Sequence, residues 1–144
     1  MPLFDAHNHL HHPRLFDDLD AVLQRASEAG VTRMVCCGTT VADWPDVLAL
    51  AARFPGVVMP SLGLHPCFLG GQHYVACNVV SRVEELHEQL KAHPAAVGEV
   101  GLDHAVEPRS DSDQEEAFLL QVALSRELEV PVSIHCRRAW GRMM

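Results

Sequence analysis

The feature that most narrows the folds open to this chain is an alternation, five times over, of a short apolar run with a longer stretch of helical period. The runs are Leu3–His7, Val31–Cys37, Val57–Leu62, Ala95–Val100 and Val130–His135. Runs this short, apolar on both sides of the pleat, make strands that need cover on both faces, which means a parallel sheet with helices against it. Between them, Leu15–Ala29 places Leu15, Leu19, Val22, Leu23 and Ala26 on one face, and Gly30 follows as a stop. Asp43–Phe54 turns Val47, Leu48, Leu50 and Ala51 inward and ends at Pro55-Gly56. Ser81–His93 repeats the pattern with Val83, Leu86 and Leu90, and Asp113–Glu129 is entered through an acidic, serine-rich turn from Ser110. The loop through Gly70-Gly71 has no pattern to assign.

A series of right-handed βα units leads either to an open doubly wound sheet or to a (β/α)8 barrel. A full barrel takes about 250 residues, so five units in 144 residues keep a barrel's pace. The expected fold is therefore α/β, a partial (β/α)8 TIM-like barrel with about five of the eight βα units present. Residues 1–144 read as a single, C-terminally truncated domain, since no linker or composition shift divides them.

Composition excludes several classes of function. No apolar run reaches the roughly 18–20 residues of a membrane span, and the N-terminus lacks the basic and apolar parts of a signal peptide. The cytoplasm is the expected compartment. Five cysteines, an odd number without C-x-x-C spacing, suit reduced thiols, and Cys36 and Cys37 read as small packing residues. A net charge of -8 argues against broad charge neutralisation of nucleic acid, so a phosphate-bearing substrate would be held locally.

The ten histidines stand out, and their placement carries chemistry. His7 and His9, two apart at the end of the first strand, project from one face and could share a cation; they read equally as the start of a solvated loop, with His11 and His12 following. Glu99 interrupts an apolar strand between Gly98 and Gly101, where an unpaired carboxylate is costly; cations or a buried arginine would each relieve it. His135 closes the fifth run and precedes Cys136-Arg137. Three strand ends that each offer a metal-binding side chain suggest one site.

In order along the chain stand F-D-A-H-N-H from Phe4, G-L-H-P from Gly63 and G-E-V-G-L-D from Gly98. Q-E-E-A-F-L-L-Q-V-A-L-S-R-E-L follows from Gln114, and P-V-S-I-H-C-R from Pro131. This series resembles the TatD family of metal-dependent hydrolases, usually described as deoxyribonucleases on a distorted TIM barrel. The resemblance implies two divalent ions (Mg, Mn or Zn), with His7 and His9 on one, Glu99 bridging to the second and His135 on the second. It gives Glu99 and His65 catalytic parts, and His65 with Arg137 a place against the substrate, DNA or another phosphodiester. The family has a further histidine after its sixth strand and an aspartate after its eighth, neither of which this sequence reaches. That implies low activity for the chain by itself. An amidohydrolase acting on C–N or ester bonds, or an inactive barrel fragment, is the alternative, although strand four has a glutamate where other amidohydrolases would have lysine. His104 stands where the family tends to have an aromatic residue, and Trp140 reads as a seal on the barrel wall. The outer strands Leu3–His7 and Val130–His135 would leave open edges, and with them self-association.

Overall fold

A computed structural model of the chain describes residues 1–16, 18–70 and 78–144. Five parallel strands form one sheet in sequence order: β1 (Leu3–Asn8), β2 (Val31–Cys37), β3 (Val58–Leu62), β4 (Ala96–Asp103) and β5 (Val132–Arg137). The helices are α1 (Pro13–Phe16), α2 (Leu19–Glu28), α3 (Trp44–Arg53), α4 (Val79–Ala92), α5 (Asp111–Glu127) and α6 (Trp140–Met143), with a 3-10 turn at Pro66–Phe68. Curvature is evident at the sheet's C-terminal side. Three strand spacings separate β1 from β4, about 14 Å if the sheet were flat, yet His7 of β1 lies 3.0 Å from Glu99 of β4. The sheet is part of a barrel wall, the partial (β/α)8 arrangement expected.

The core lies between the sheet and its helices. Val47 and Leu50 of α3, Leu86 of α4, and Ala117 and Leu124 of α5 are buried against Leu62, Val97 and Val100. The helical periodicity located the inner faces of α3 and α4, where Val47 and Leu50 and Val83, Leu86 and Leu90 are buried. Local chemistry moved several boundaries. The single helix expected over Leu15–Ala29 is two, because Asp18, at φ −123°, leaves helical geometry and starts α2 afresh. Asn78 accepts from the Val80 amide and Ser110 from that of Asp113, so α4 and α5 each begin two residues before the positions read from periodicity. Asp111 and Asp113 then lie in the first turn of α5, where the helix dipole favours them.

β4 and β5 run further than expected, paired from Val97↔Val132 to Asp103↔Arg137. Two glycines make this possible. A Cβ on Gly98 would stand 2.8 Å from the Gly63 nitrogen, and one on Gly101, at φ +145°, would overlap the His135 carbonyl. Glu99 and His135 therefore sit within their strands and not at the ends; Asp103 and Arg137 hold the ends. The edge strands are the least covered, with Leu3 and Phe4 of β1 and Ile134 of β5 exposed. Trp140 is exposed as well and seals no wall among the described residues. Gly71 and Cys77 lie outside the described residues. Among the described residues no helix is long and apolar enough to cross a membrane.

Candidate metal centre

The site begins where β1 gives way to loop. Asp5 accepts from the His7 backbone N–H at 3.1 Å and from the Asn8 amide at 2.9 Å, and the pairing with β2 slips between Asp5 and Asn8. His7 and His9 leave this irregular end together, ring centroids 5.1 Å apart. His9 Nδ1 donates to the Cys37 carbonyl at 2.7 Å. A carbonyl only accepts, so Nδ1 carries the hydrogen and Nε2 presents a lone pair. That lone pair faces Glu99 Oε2 at 3.3 Å, and His7 Nε2 lies 3.0 Å from the same oxygen. The two electron-rich atoms repel unless a proton or a cation lies between them. Glu99 raises the pKa of His9 because an added proton fills that gap, with burial opposing; a divalent ion fills it equally. A histidine tied through its other nitrogen to a backbone carbonyl is the usual setting of a metal ligand.

Glu99 is the hub. Its second oxygen, Oε1, meets His135 Nδ1 at 2.9 Å and His65 Nε2 at 3.4 Å, so four imidazoles surround one carboxylate whose side chain is 14 % exposed. Burial alone would push this carboxyl up; hydrogen bonds from His65, from His9 when it takes up the added proton, and from His135 outweigh burial and hold it well below its ordinary value.

His65 is held through its backbone. Trp44 Nε1 donates to the Gly63 carbonyl (3.1 Å), Gln121 Oε1 accepts from the Leu64 amide (2.8 Å), and the His65 amide donates to Thr39 O (2.9 Å). His65 Nδ1 then accepts from the Cys67 amide at 3.0 Å, which puts the ring hydrogen on Nε2. His65 is thus built as a donor aimed into the site, not as a lone pair for a cation.

Asp103, fully buried at the end of β4, is a site residue that the sequence reading passed over. Its Oδ2 lies 3.0 Å from His135 Nε2 and accepts from Cys67 Sγ at 3.1 Å, while Oδ1 accepts from the Ala105 amide. Burial raises this carboxyl, and the bonds from Cys67, Ala105 and His135 bring it below the usual value. Gln114 of α5 fixes the Asp103 backbone, accepting from its amide and donating to its carbonyl. The only signal in sequence was the end of G-E-V-G-L-D, where an aspartate after a strand reads as a turn former.

The structure gathers His7, His9, Glu99, His135 and His65 around one point. Arg137 is at the margin, 61 % exposed with NH1 3.8 Å from Asp103 Oδ2. Cys36 and Cys37 are buried as packing residues should be, yet Cys37 also holds His9 through its carbonyl and lies 3.4 Å from His7 Nδ1 through its thiol. His11 turns away to Cys36 and Asp43, at 3.5 Å from each. The gathered donors suit a divalent ion at His7, His9 and Glu99; His65, Cys67 and His135 also lie close together, but there His65 has no free lone pair to offer.

The family model described as "TatD related DNase" matches residues 4–144. The 3'-5' ssDNA/RNA exonuclease TatD of Musicola paradisiaca is 35 % identical over 144 residues, covering 99 % of this chain and 52 % of that protein. The deoxyribonuclease TATDN3 of Homo sapiens is 32 % identical over 148 residues, covering 95 % and 53 %. Among solved structures, the TatD homologue YJJV of Escherichia coli superposes with a TM-score of 0.84 at 30 % identity, over 98 % of this chain and 53 % of that one. A TatD-family hydrolase of Entamoeba histolytica, 19 % identical with a TM-score of 0.80, shares the fold. The chain spans about half the length of the relatives it matches. A barrel of the right topology, a carboxylate ringed by four histidines and a match over nearly every residue lead to one statement: the chain belongs to the TatD-related DNase family.

Proposed function

We propose that this chain carries the metal-binding part of a hydrolase that cleaves phosphodiester bonds in DNA. The observation that carries the reading is the His9 tautomer: Nδ1–H on the Cys37 carbonyl leaves Nε2 bare against Glu99, beside His7 Nε2 on the same oxygen. The donors fit a divalent ion, Mg, Mn or Zn, at His7, His9 and Glu99, and a second on the His135 side. Bound there, such ions lower the pKa of a coordinated water and polarise a phosphoryl oxygen.

The protein's own groups have separable parts in this reading. Glu99, kept ionised by its neighbours, supplies the negative charge that holds the ions, Oε2 toward His7 and His9 and Oε1 toward His135. His65 offers Nε2–H to an oxygen of the substrate or of the developing oxyanion. Arg137, exposed at the rim, contacts a phosphate. With a net charge of -8 the rest of the molecule contributes no general attraction for a polyanion, so these local contacts position the strand. The unpaired thiols Cys36, Cys37, Cys67 and Cys136 suit a reducing compartment such as the cytoplasm. The names of the relatives favour nucleic acid over the C–N and ester substrates of other amidohydrolases.

Calorimetric titration with Mn2+ and Zn2+, paired with cleavage of a labelled single-stranded DNA, tests the reading. Changing His7 and His9 together to alanine is expected to abolish the tightest binding, and E99Q to abolish both binding and cleavage. Undiminished binding in the His7/His9 double variant would place the cation elsewhere. Metal-stimulated hydrolysis of amides or carboxyl esters with none of DNA would give the chain to the other hydrolase class.

A further inference from the structure

Cys37, the last residue of β2, touches both histidines of the β1 end, and in different ways. Its carbonyl accepts from His9 Nδ1 at 2.7 Å, and its thiol lies 3.4 Å from His7 Nδ1. The carbonyl can only accept, so it fixes one tautomer of His9. A thiol can donate through S–H or accept at sulfur, so it fits either tautomer of His7. Cys37 is fully buried, while its neighbour Cys36 turns to the opposite face of the strand and joins the helix-packed core. Across the ladder Cys37 is in register with Ser61 of β3. The Ser61 hydroxyl is fully buried and has no hydrogen-bond partner among the described residues, a costly state for a polar atom. Residues in register on parallel strands share a face, so this hydroxyl stands beside the thiol.

We propose that Cys37 is a positioning residue whose thiol serves both tautomers of His7, so that Glu99 holds this ring in the metal-free protein and the ring gives up Nε2 when a cation binds. The proposal rests on reading the centre as metal-binding and concerns how His7 is made ready for the ion. Two hydrogen-bond arrangements fit the same atoms. In the first, His7 Nε2–H donates to Glu99 Oε2 at 3.0 Å and the Cys37 S–H donates to Nδ1 at 3.4 Å. Both bonds are satisfied without an ion, and the Ser61 hydroxyl is left over. In the second, the ring hydrogen sits on Nδ1 and is donated to the sulfur, the S–H turns to Ser61 Oγ, and Nε2 presents a bare lone pair. The proton on Nε2 leaves to solvent and another is taken up at Nδ1, so the ring is neutral in both states. The second arrangement gives Ser61 its partner and needs a cation at Nε2. His9, tied to a carbonyl, presents Nε2 in either case. An apolar side chain at position 37 would leave the Nδ1–H of the second arrangement unpaired, and the partner of a ligand's other nitrogen tunes its affinity for the ion.

Long-range proton–nitrogen NMR correlations of the histidine rings, recorded at alkaline pH with and without Zn2+, test this directly, because they report which ring nitrogen carries the hydrogen. His7 is expected as Nε2–H in the metal-free chain and as Nδ1–H once Zn2+ is bound, while His9 is Nδ1–H in both. C37V removes the thiol and leaves the main-chain carbonyl, so the His9 pattern should persist while Zn2+ affinity falls about tenfold. C37S, whose hydroxyl can donate and accept, should recover most of that loss. A His7 that is Nδ1–H without metal, or a folded C37V that binds Zn2+ as tightly as the parent chain, overturns the proposal and leaves the metal centre standing. The tautomers of the parent chain decide the matter even where C37V does not fold. Absence of any Zn2+ binding by the parent chain overturns both readings.

Discussion

Asp43 illustrates how a single side chain outside the metal cluster shapes its rim. Its carboxylate accepts from the Thr39 and Thr40 amides and the Thr39 hydroxyl, and it pairs with His11, whose ring meets that of His9 edge-on. Burial would raise the Asp43 carboxyl; the bonds from His11, Thr39 and Thr40 bring it below its ordinary value. A carboxyl with a depressed folded pKa adds stability that is present above its unfolded value, near 4, and is lost as pH falls through the folded one. D43N is therefore expected to cost about 1–3 kcal/mol at pH 7 and to flatten the acid limb of the stability curve. Urea unfolding of both proteins at pH 7 and pH 3 checks this, and parallel losses at the two values would contradict it. At this scale His7, His9, Glu99 and His135 were legible because each is a metal-binding type inside or beside an apolar run. Asp103 was not, since its surroundings depend on Cys67, far from it in sequence, and on Gln114 of the next helix. The tautomers of His9 and His65 depend on the Cys37 carbonyl and the Cys67 amide, and no side-chain pattern reports those.

Among the elements, α5 has a part that its residue pattern does not reveal. Gln114 and Gln121, seven residues apart on its inner face, are both fully buried. Gln121 binds the Leu64 amide and carbonyl, and Gln114 the Asp103 amide and carbonyl and the Pro66 carbonyl. These backbone groups flank His65, Cys67 and Asp103 where the strands have ended and their own ladders no longer satisfy them. Replacing either glutamine by leucine preserves bulk but strands those groups, at about 1–3 kcal/mol each. Q114L is expected to weaken Zn2+ binding along with stability, and Q121L to lower stability and DNA cleavage by displacing His65. Chemical denaturation and calorimetry on the two variants check both halves, and a neutral Q114L would show that α5 merely covers the sheet. Helix and strand positions were largely readable from periodicity because burial of one face sets the spacing of apolar residues. The break at Asp18 and the early starts at Asn78 and Ser110 were not, because each depends on the local hydrogen bonds of one or two residues.

For the molecule as a whole, the open sides of the sheet matter most. β1 and β5 each have one parallel neighbour among the described residues, and Leu3, Phe4 and Ile134 expose apolar surface there. An unpaired edge with exposed apolar side chains is a template for another strand. Sedimentation velocity is expected to show concentration-dependent self-association of this chain. Phe4→Lys and Ile134→Lys together should shift it toward monomer, since an edge charge resists pairing. A monomer at all concentrations would mean that the edges are protected in solution.

The order of residues by itself determined the parallel βα repeat, the identity of four of the clustered donors and the family, because apolar spacing and short motifs are local properties written directly in the chain. Tertiary structure alone decided that β1 reaches β4 across two intervening strands and that His9 shows Nε2 to Glu99. It likewise decided that a thiol and a buried aspartate stand behind His135. Those facts depend on sheet curvature, on backbone carbonyls and amides and on contacts between residues as far apart in sequence as His7 and Glu99. They arise from how the whole sheet closes, and short-range sequence patterns do not encode that closure.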